Sequence, residues 1–229
     1  MPGPNAGRAN PERPGTRNRP EQSRSAWLRA RARVVPGALH RSPPWVRSVF
    51  DHAWAPMVAL SRQVGCLPPE LCETLLHCEG GFIAIDAGDS HYVPGPATIR
   101  DRPVRNVAFI SVCDLAQDNE RPLHVIGHLI DHHLGCRGEA EGAWLSEGGG
   151  ILPRWQEAGT RLARLFALGY AVDEIAQANG RDYFAQSLAL YCRERQRLNV
   201  ADPQIDKWFR TTLWEAGFWL AEPGNEGGR

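Results

Sequence analysis

Residues 124–133 read HVIGHLIDHH and hold four of the chain's eight histidines. His124 and His128 are four apart, so on a helix they share a face and their rings can converge on one ion. Asp131 follows His128 by three and falls on the same stripe. It is placed to orient a ligand histidine or to serve as a ligand itself. His132 extends the stripe by one more turn. Gly127 would let another backbone pack close. The chemistry open to such a group is metal binding; the competing reading is a polar helix face with packed histidines and no metal. His128, His132 and Cys136 form a second stripe with Asp131, although Gly135 is expected to end the helix before Cys136 can join it.

The elements that must carry these residues are legible in outline. Pro122 suits a first helical position, and LHVIGHLIDHHLG follows. Upstream, Val46, Val49, Phe50 and Trp54 recur at helical spacing, with Pro56 bending or splitting that helix. A short helix, ELCETLLHC, stops at Gly80–Gly81. FIAIDA and NVAFISVC are short β-branched runs and read as strands joined by a long, turn-rich connection. LSEGGGILP over 145–153 reads as a glycine-rich loop. Helices then resume in RWQEAGTRLARLFALG, VDEIAQANG, DYFAQSLALYCRERQRL and DPQIDKWFRTTLWEAGFWLAE. The order predicts a mainly helical α+β fold. Residues 1–42 read as an Arg/Pro-rich basic tail, disordered to about residue 25, because apolar residues are almost absent there. Residues 43–222 read as one folded domain opening at Pro43–Pro44, and 223–229 as a flexible end.

LHVIGHLIDHHLG resembles the HExxH helix of zinc metallopeptidases, in the "HEiGHalDh" form typical of the anthrax-lethal-factor-like family. DYFAQSLALY resembles that family's "EyFAEsfalY" helix, which supplies the third zinc ligand. DPQIDKWFRTTLW resembles the segment that often follows. The second motif begins some fifty residues after the first, and the resemblance spans roughly residues 65–220. It implies a zincin-like domain with a small sheet over the HVIGH helix. It implies zinc held by His124, His128 and Gln186, with Asp131 and His132 supporting them. It also implies two losses: Val125 stands where the family has the glutamate that polarises the attacking water, and Gln186 where it has a ligand glutamate. Tyr183, one turn before Gln186, could face the site or pack beneath the helix.

Valine cannot take a proton, and losing a general base costs ~10²–10⁴ in rate. A neutral amide is a poorer zinc donor than a carboxylate. The resemblance therefore implies a weakened zinc site and a catalytically impaired, peptide- or protein-binding pseudopeptidase. The alternatives are a working zinc endopeptidase whose base is another carboxylate (Glu139, Glu141 or Glu147), and a metal-free interaction protein.

Composition narrows the classes. The 229 residues are 42% hydrophobic, enough for a core, and the formal net charge is +0, so no global field selects nucleic acid or membrane. The first fifty residues nonetheless hold ten arginines and two glutamates. That tail could touch an acidic partner, but beyond Trp27 it lacks the interleaved aromatics of a nucleic-acid binder. The N-terminus has no apolar signal region, no stretch reaches a membrane span, and none of the six cysteines forms a CxxC pair. The expectation is a cytoplasmic protein with free thiols and no membrane partner.

Overall fold

A computed structural model describes residues 19–220, with side chains from 21 onward. The fold is mainly helical, with one small sheet. Helix α1 (Arg19–Arg31) runs into strand β1 (Ala32–Val34), followed by α2 (Ala38–Arg41), α3 (Pro44–Val49), α4 (Ala55–Gln63) and α5 (Pro69–His77). Strands β2 (Phe82–Asp86), β3 (His91–Ile99) and β4 (Arg102–Ser111) come next, then α6 (Val112–Gln117) and the histidine helix α7 (Arg121–Cys136). The C-terminal part is helical: α8 (Pro153–Ala167), α9 (Glu174–Gln177), α10 (Gly180–Arg193), α11 (Arg195–Ala201), α12 (Pro203–Thr211) and α13 (Ala216–Trp219). Pro56 does split its helix, since it opens α4 after α3 has ended.

The folded part begins earlier than Pro43. Trp27 is fully buried, Leu28 and Ala32 join the core, Arg24 donates to the Leu67 carbonyl at 2.6 Å, and β1 pairs in parallel with β2. The arginines that make this stretch look like a tail do not all face solvent: Arg24 and Arg31 are half-buried on the same face as Trp27 and Leu28 and donate to carbonyls of the fold, and Arg29 is exposed. The expected disorder of residues 1–18 and the expected C-terminal segment from 223 lie outside the described residues.

The sheet order is β1-β2-β4-β3, parallel except for the antiparallel edge strand β3. Strand β3 occupies what reads in sequence as a connection. Pro94, Gly95 and Pro96 disguise it, yet an edge strand tolerates prolines that point their missing donors outward. The register shifts between Val93 and Pro96, where Gly95 has φ +83° and donates its N–H to Asn106 Oδ1. The hairpin to β4 turns through Arg100 and Asp101, both at positive φ, the geometry of a tight two-residue turn.

Helix α7 packs between the sheet and α10, and nearly all its residues are buried. Gly135 does not end it. The helix continues to Cys136 and is capped by Arg137 at φ +57°. Gly135 instead lets the Trp144–Leu145 backbone lie against the helix, where a Cβ would have no room. The thiols are not all free either: Cys66 and Cys192 form a disulfide with a Cα–Cα distance of 5.6 Å, leaving Cys72, Cys78, Cys113 and Cys136 reduced. None of the described helices is long and apolar enough to cross a membrane.

Candidate metal centre

His124 and His128 point the same way from α7, their Nε2 atoms 3.1 Å apart. The third group facing them is Asp182, not Gln186. Asp182 Oδ1 lies 3.5 Å from His124 Nε2 and 3.3 Å from His128 Nε2. An ion bound tetrahedrally at ~2.0–2.1 Å has ligand atoms ~3.3 Å apart, by the geometry of a tetrahedron. The three observed edges match that spacing, so this group could hold a metal ion.

Each donor is fixed by a local device. Asn179 caps α10: its Oδ1 accepts from Asp182 N at 2.9 Å, and its Nδ2 donates to Asp182 Oδ2 at 2.7 Å. One carboxylate oxygen thus serves the cap while the other faces the histidines. The His128 hydrogen bond, more than burial, sets the charge state of Asp182, holding its carboxyl below the usual range. Helix α10 reaches α7 at Gly127, which lies directly against Ala185.

Gln186 stands behind His124. Its Oε1 is 3.0 Å from His124 Nδ1, and its Nε2 donates to Asp173 Oδ2 at 2.9 Å. The carboxylate fixes which way the amide points, and the amide oxygen then requires a proton on Nδ1. The lone pair of His124 is left on Nε2, facing His128 and Asp182. Burial, chiefly, pushes the His124 pKa down to about 4, keeping the ring neutral and able to donate to a metal. Gln186, the expected third ligand, thus stands behind His124, and the group that faces both Nε2 atoms and could hold an ion with them is Asp182.

The remaining expected site residues do other work. Asp131 is fully buried and does not touch the histidines; its two oxygens accept from Ser146 N and Oγ at 2.7 and 2.6 Å, pinning the turn at Leu145–Glu147 to α7. His132 is not a ligand because both ring nitrogens are engaged: Nε2 with the Glu139 carbonyl at 3.0 Å, Nδ1 with the Tyr92 hydroxyl at 2.8 Å. Cys136 turns its thiol to the His132 and Glu139 carbonyls, which rules out the second stripe. Tyr183 donates to Asp202 Oδ2 at 2.6 Å and packs on Phe166, so it is a core residue. Val125 is 1% exposed and lies in the hydrophobic core. Of the three candidate bases, Glu147 is bound by Arg181 and by Trp144 N. Glu139 and Glu141 follow the end of α7 and are exposed, and neither carboxylate makes a hydrogen bond or ion pair with His124 or His128 among the described residues.

Asp182 had a sequence signal. The "EyFAE" pattern that DYFAQ resembles has acids at both ends, and DYFAQ keeps the first. The N-x-x-D spacing disguises it as an ordinary helix cap, which it also is. Tyr92 and Trp144 complete the wall beside His128, with ring centroids at 6.4 and 6.1 Å, and the Arg181 guanidinium covers Trp144 at 4.1 Å. Compared with protein-family models, curated proteins and solved structures, the chain matches none.

Proposed function

We propose that this chain is a metallopeptidase-like protein that binds a divalent metal at His124, His128 and Asp182 and engages a peptide or protein without efficiently cutting it. One observation carries the reading: three donors stand at tetrahedral edge lengths beside a helix position, Val125, that holds no base. Two imidazoles and a carboxylate suit zinc best among common divalent ions. When bound, zinc would polarise a substrate carbonyl. The protein's own residues orient the donors: Gln186 and Asp173 set the His124 tautomer, and Asn179 holds Asp182. The zincin-like part of the reading is supported by the paired sequence motifs and by a small mixed sheet on α7 with an antiparallel edge strand.

The test has two arms. Metal content is measured on protein purified without a chelating column, and casein and a peptide library are digested with and without chelator. About one equivalent of zinc with no chelator-sensitive cleavage is the expected result. Absence of zinc would overturn the metal site. Strong cleavage would replace the pseudopeptidase with a working enzyme that uses an unusual base.

A further inference from the structure

On the side formed by α1, α3 and α4, apolar residues stand exposed among arginines. Trp54 is 65% exposed, Val58 53% and Val49 52%. Trp54 and Val58 are one turn apart and share a face, as do Trp45 and Val49 on α3. Beside Trp54 a groove of about 500 Å³ runs between α1 and α4. Leu28, Ala32 and Met57 give it an apolar lining, Arg29 and Arg33 form its charged edge, and no carboxylate lines it. Across α4 a second groove is lined by Val49, Val58 and Arg62, with Asp118 at its far side.

Little of the charge here is spent on ion pairs: of the arginines at 25–62, Arg41 alone makes one among the described residues. Residues 25–62 contain six arginines and one acid, Asp51, which lies 3.5 Å from His52. Arg41 pairs with Asp86, and Arg31 donates to the Leu76 carbonyl. Arg33 and Arg47 donate only to backbone carbonyls, and Arg29 and Arg62 have no carboxylate within ion-pair distance among the described residues.

We infer that this face docks on an anionic lipid surface, lying on the bilayer without spanning it. The partner must be anionic, since Arg29, Arg33, Arg47 and Arg62 make no ion pair among the described residues, and the one acid beside Arg62, Asp118, is held by Arg193. It must also accept apolar groups between those charges. The shape then separates a bilayer from an acidic protein. Trp54 and Val58 crown a ridge, with Arg29 and Arg33 on one side and Arg62 on the other. A peptide in either groove meets only one of those sides. A plane of headgroups meets both, with the Trp54 ring at the interfacial level where tryptophan settles. Each arginine near such a surface strengthens binding by about fivefold.

The test is sedimentation of the full chain with vesicles of phosphatidylcholine alone and of phosphatidylcholine mixed with phosphatidylglycerol. Binding is expected only to the mixed vesicles, weakening as salt is raised. The Arg29→Glu/Arg33→Glu variant should bind at least about 25-fold more weakly, from two charges at about fivefold each. Trp54→Phe should lose part of the fluorescence quenching that brominated lipid gives the parent. Unchanged melting curves check that the surface variants are folded. Equal binding to both vesicle types, or no effect of the arginine variant, overturns the inference. So does capture of soluble polyglutamate without vesicle binding, which assigns the face to an acidic protein. A parent dimer that Trp54→Ala converts to monomer overturns it in favour of a second copy.

Discussion

Gly127 on α7 and Ala185 on α10 touch backbone to backbone. A Cβ at 127 would lie 2.7 Å from the Ala185 Cα, closer than real atoms come. This crossing brings Asp182, three residues before Ala185, over His124 and His128, which flank Gly127 in sequence. Gly127→Ala should therefore destabilise the protein, although alanine is intrinsically better in a helix by ~1 kcal/mol. The obstacle is backbone and cannot swing aside, so overpacking should win, with a net loss of ~1–3 kcal/mol in urea unfolding of metal-free protein. Zinc affinity should fall as well. Gly65→Ala, where nothing lies within 4 Å of the added Cβ, is the control and should be near neutral.

The two residues that touch His124 from α10 should rank in a definite order. Gln186→Leu removes the partner of Nδ1 and should cost ~10–100-fold in zinc affinity. Asp182→Ala removes a donor and its negative charge, and should cost more. Titration calorimetry on metal-free protein measures both. If Gln186→Leu proves the more damaging, the amide is the ligand and the assignment of Asp182 is wrong.

Restoring the missing base should now need one change. On the proposed reading Asp182 supplies the anionic donor, so Gln186→Glu is unnecessary, and Val125→Glu should confer chelator-sensitive cleavage on a peptide library where the parent has none. The same variant should melt earlier, because it puts a carboxylate where valine is 1% exposed, at a cost of roughly 2–5 kcal/mol. Added zinc should recover part of the loss. Activity in the parent equal to that of the variant would remove Val125 from the explanation.

Without metal, stability should fall as pH drops from about 6.5 to about 4. Burial pushes the pKa of His124 and of His133 down to about 4, and lowers that of His132. A depressed histidine stays neutral when folded but protonates when unfolded, so the unfolded chain binds more protons in that window and gains. Asp131 works the other way. Burial raises its pKa to about 7 against the two Ser146 hydrogen bonds, so its contribution is full at low pH and is lost as pH rises through about 7. The histidines outnumber it, leaving a net loss of roughly 2–4 kcal/mol on the acid side. Urea midpoints across the range check this, and Asp131→Asn should steepen the fall. A flat profile would mean that the histidines are not buried neutral.

The parts of the site legible in the sequence were those set by local spacing. HVIGH declares a helix face, and a helix does place His124 and His128 together. What the spacing could not reveal is which atom of a distant helix reaches them. DYFAQ offers Asp182 and Gln186 one turn apart on the same face, and only the Gly127–Ala185 crossing decides which faces the Nε2 atoms and which stands behind Nδ1. Strand β3 was hidden for a different reason. Its prolines violate strand propensity, and only its place at the sheet edge makes them harmless. Likewise α1 looks like a solvated tail by charge, because only the adjacent Trp27 and Leu28 are fully inside the core, against a background of arginines.

The Cys66–Cys192 bond joins residues 126 apart in sequence and makes a covalent ring of everything between them. His124, His128 and Asp182 all lie inside that ring, on segments separated by the exposed stretch at 139–141. A protease that cuts there severs the chain without parting the site. Both halves remain one molecule until the disulfide is reduced, so nicked protein runs as a single band on a non-reducing gel and as two fragments after a thiol is added.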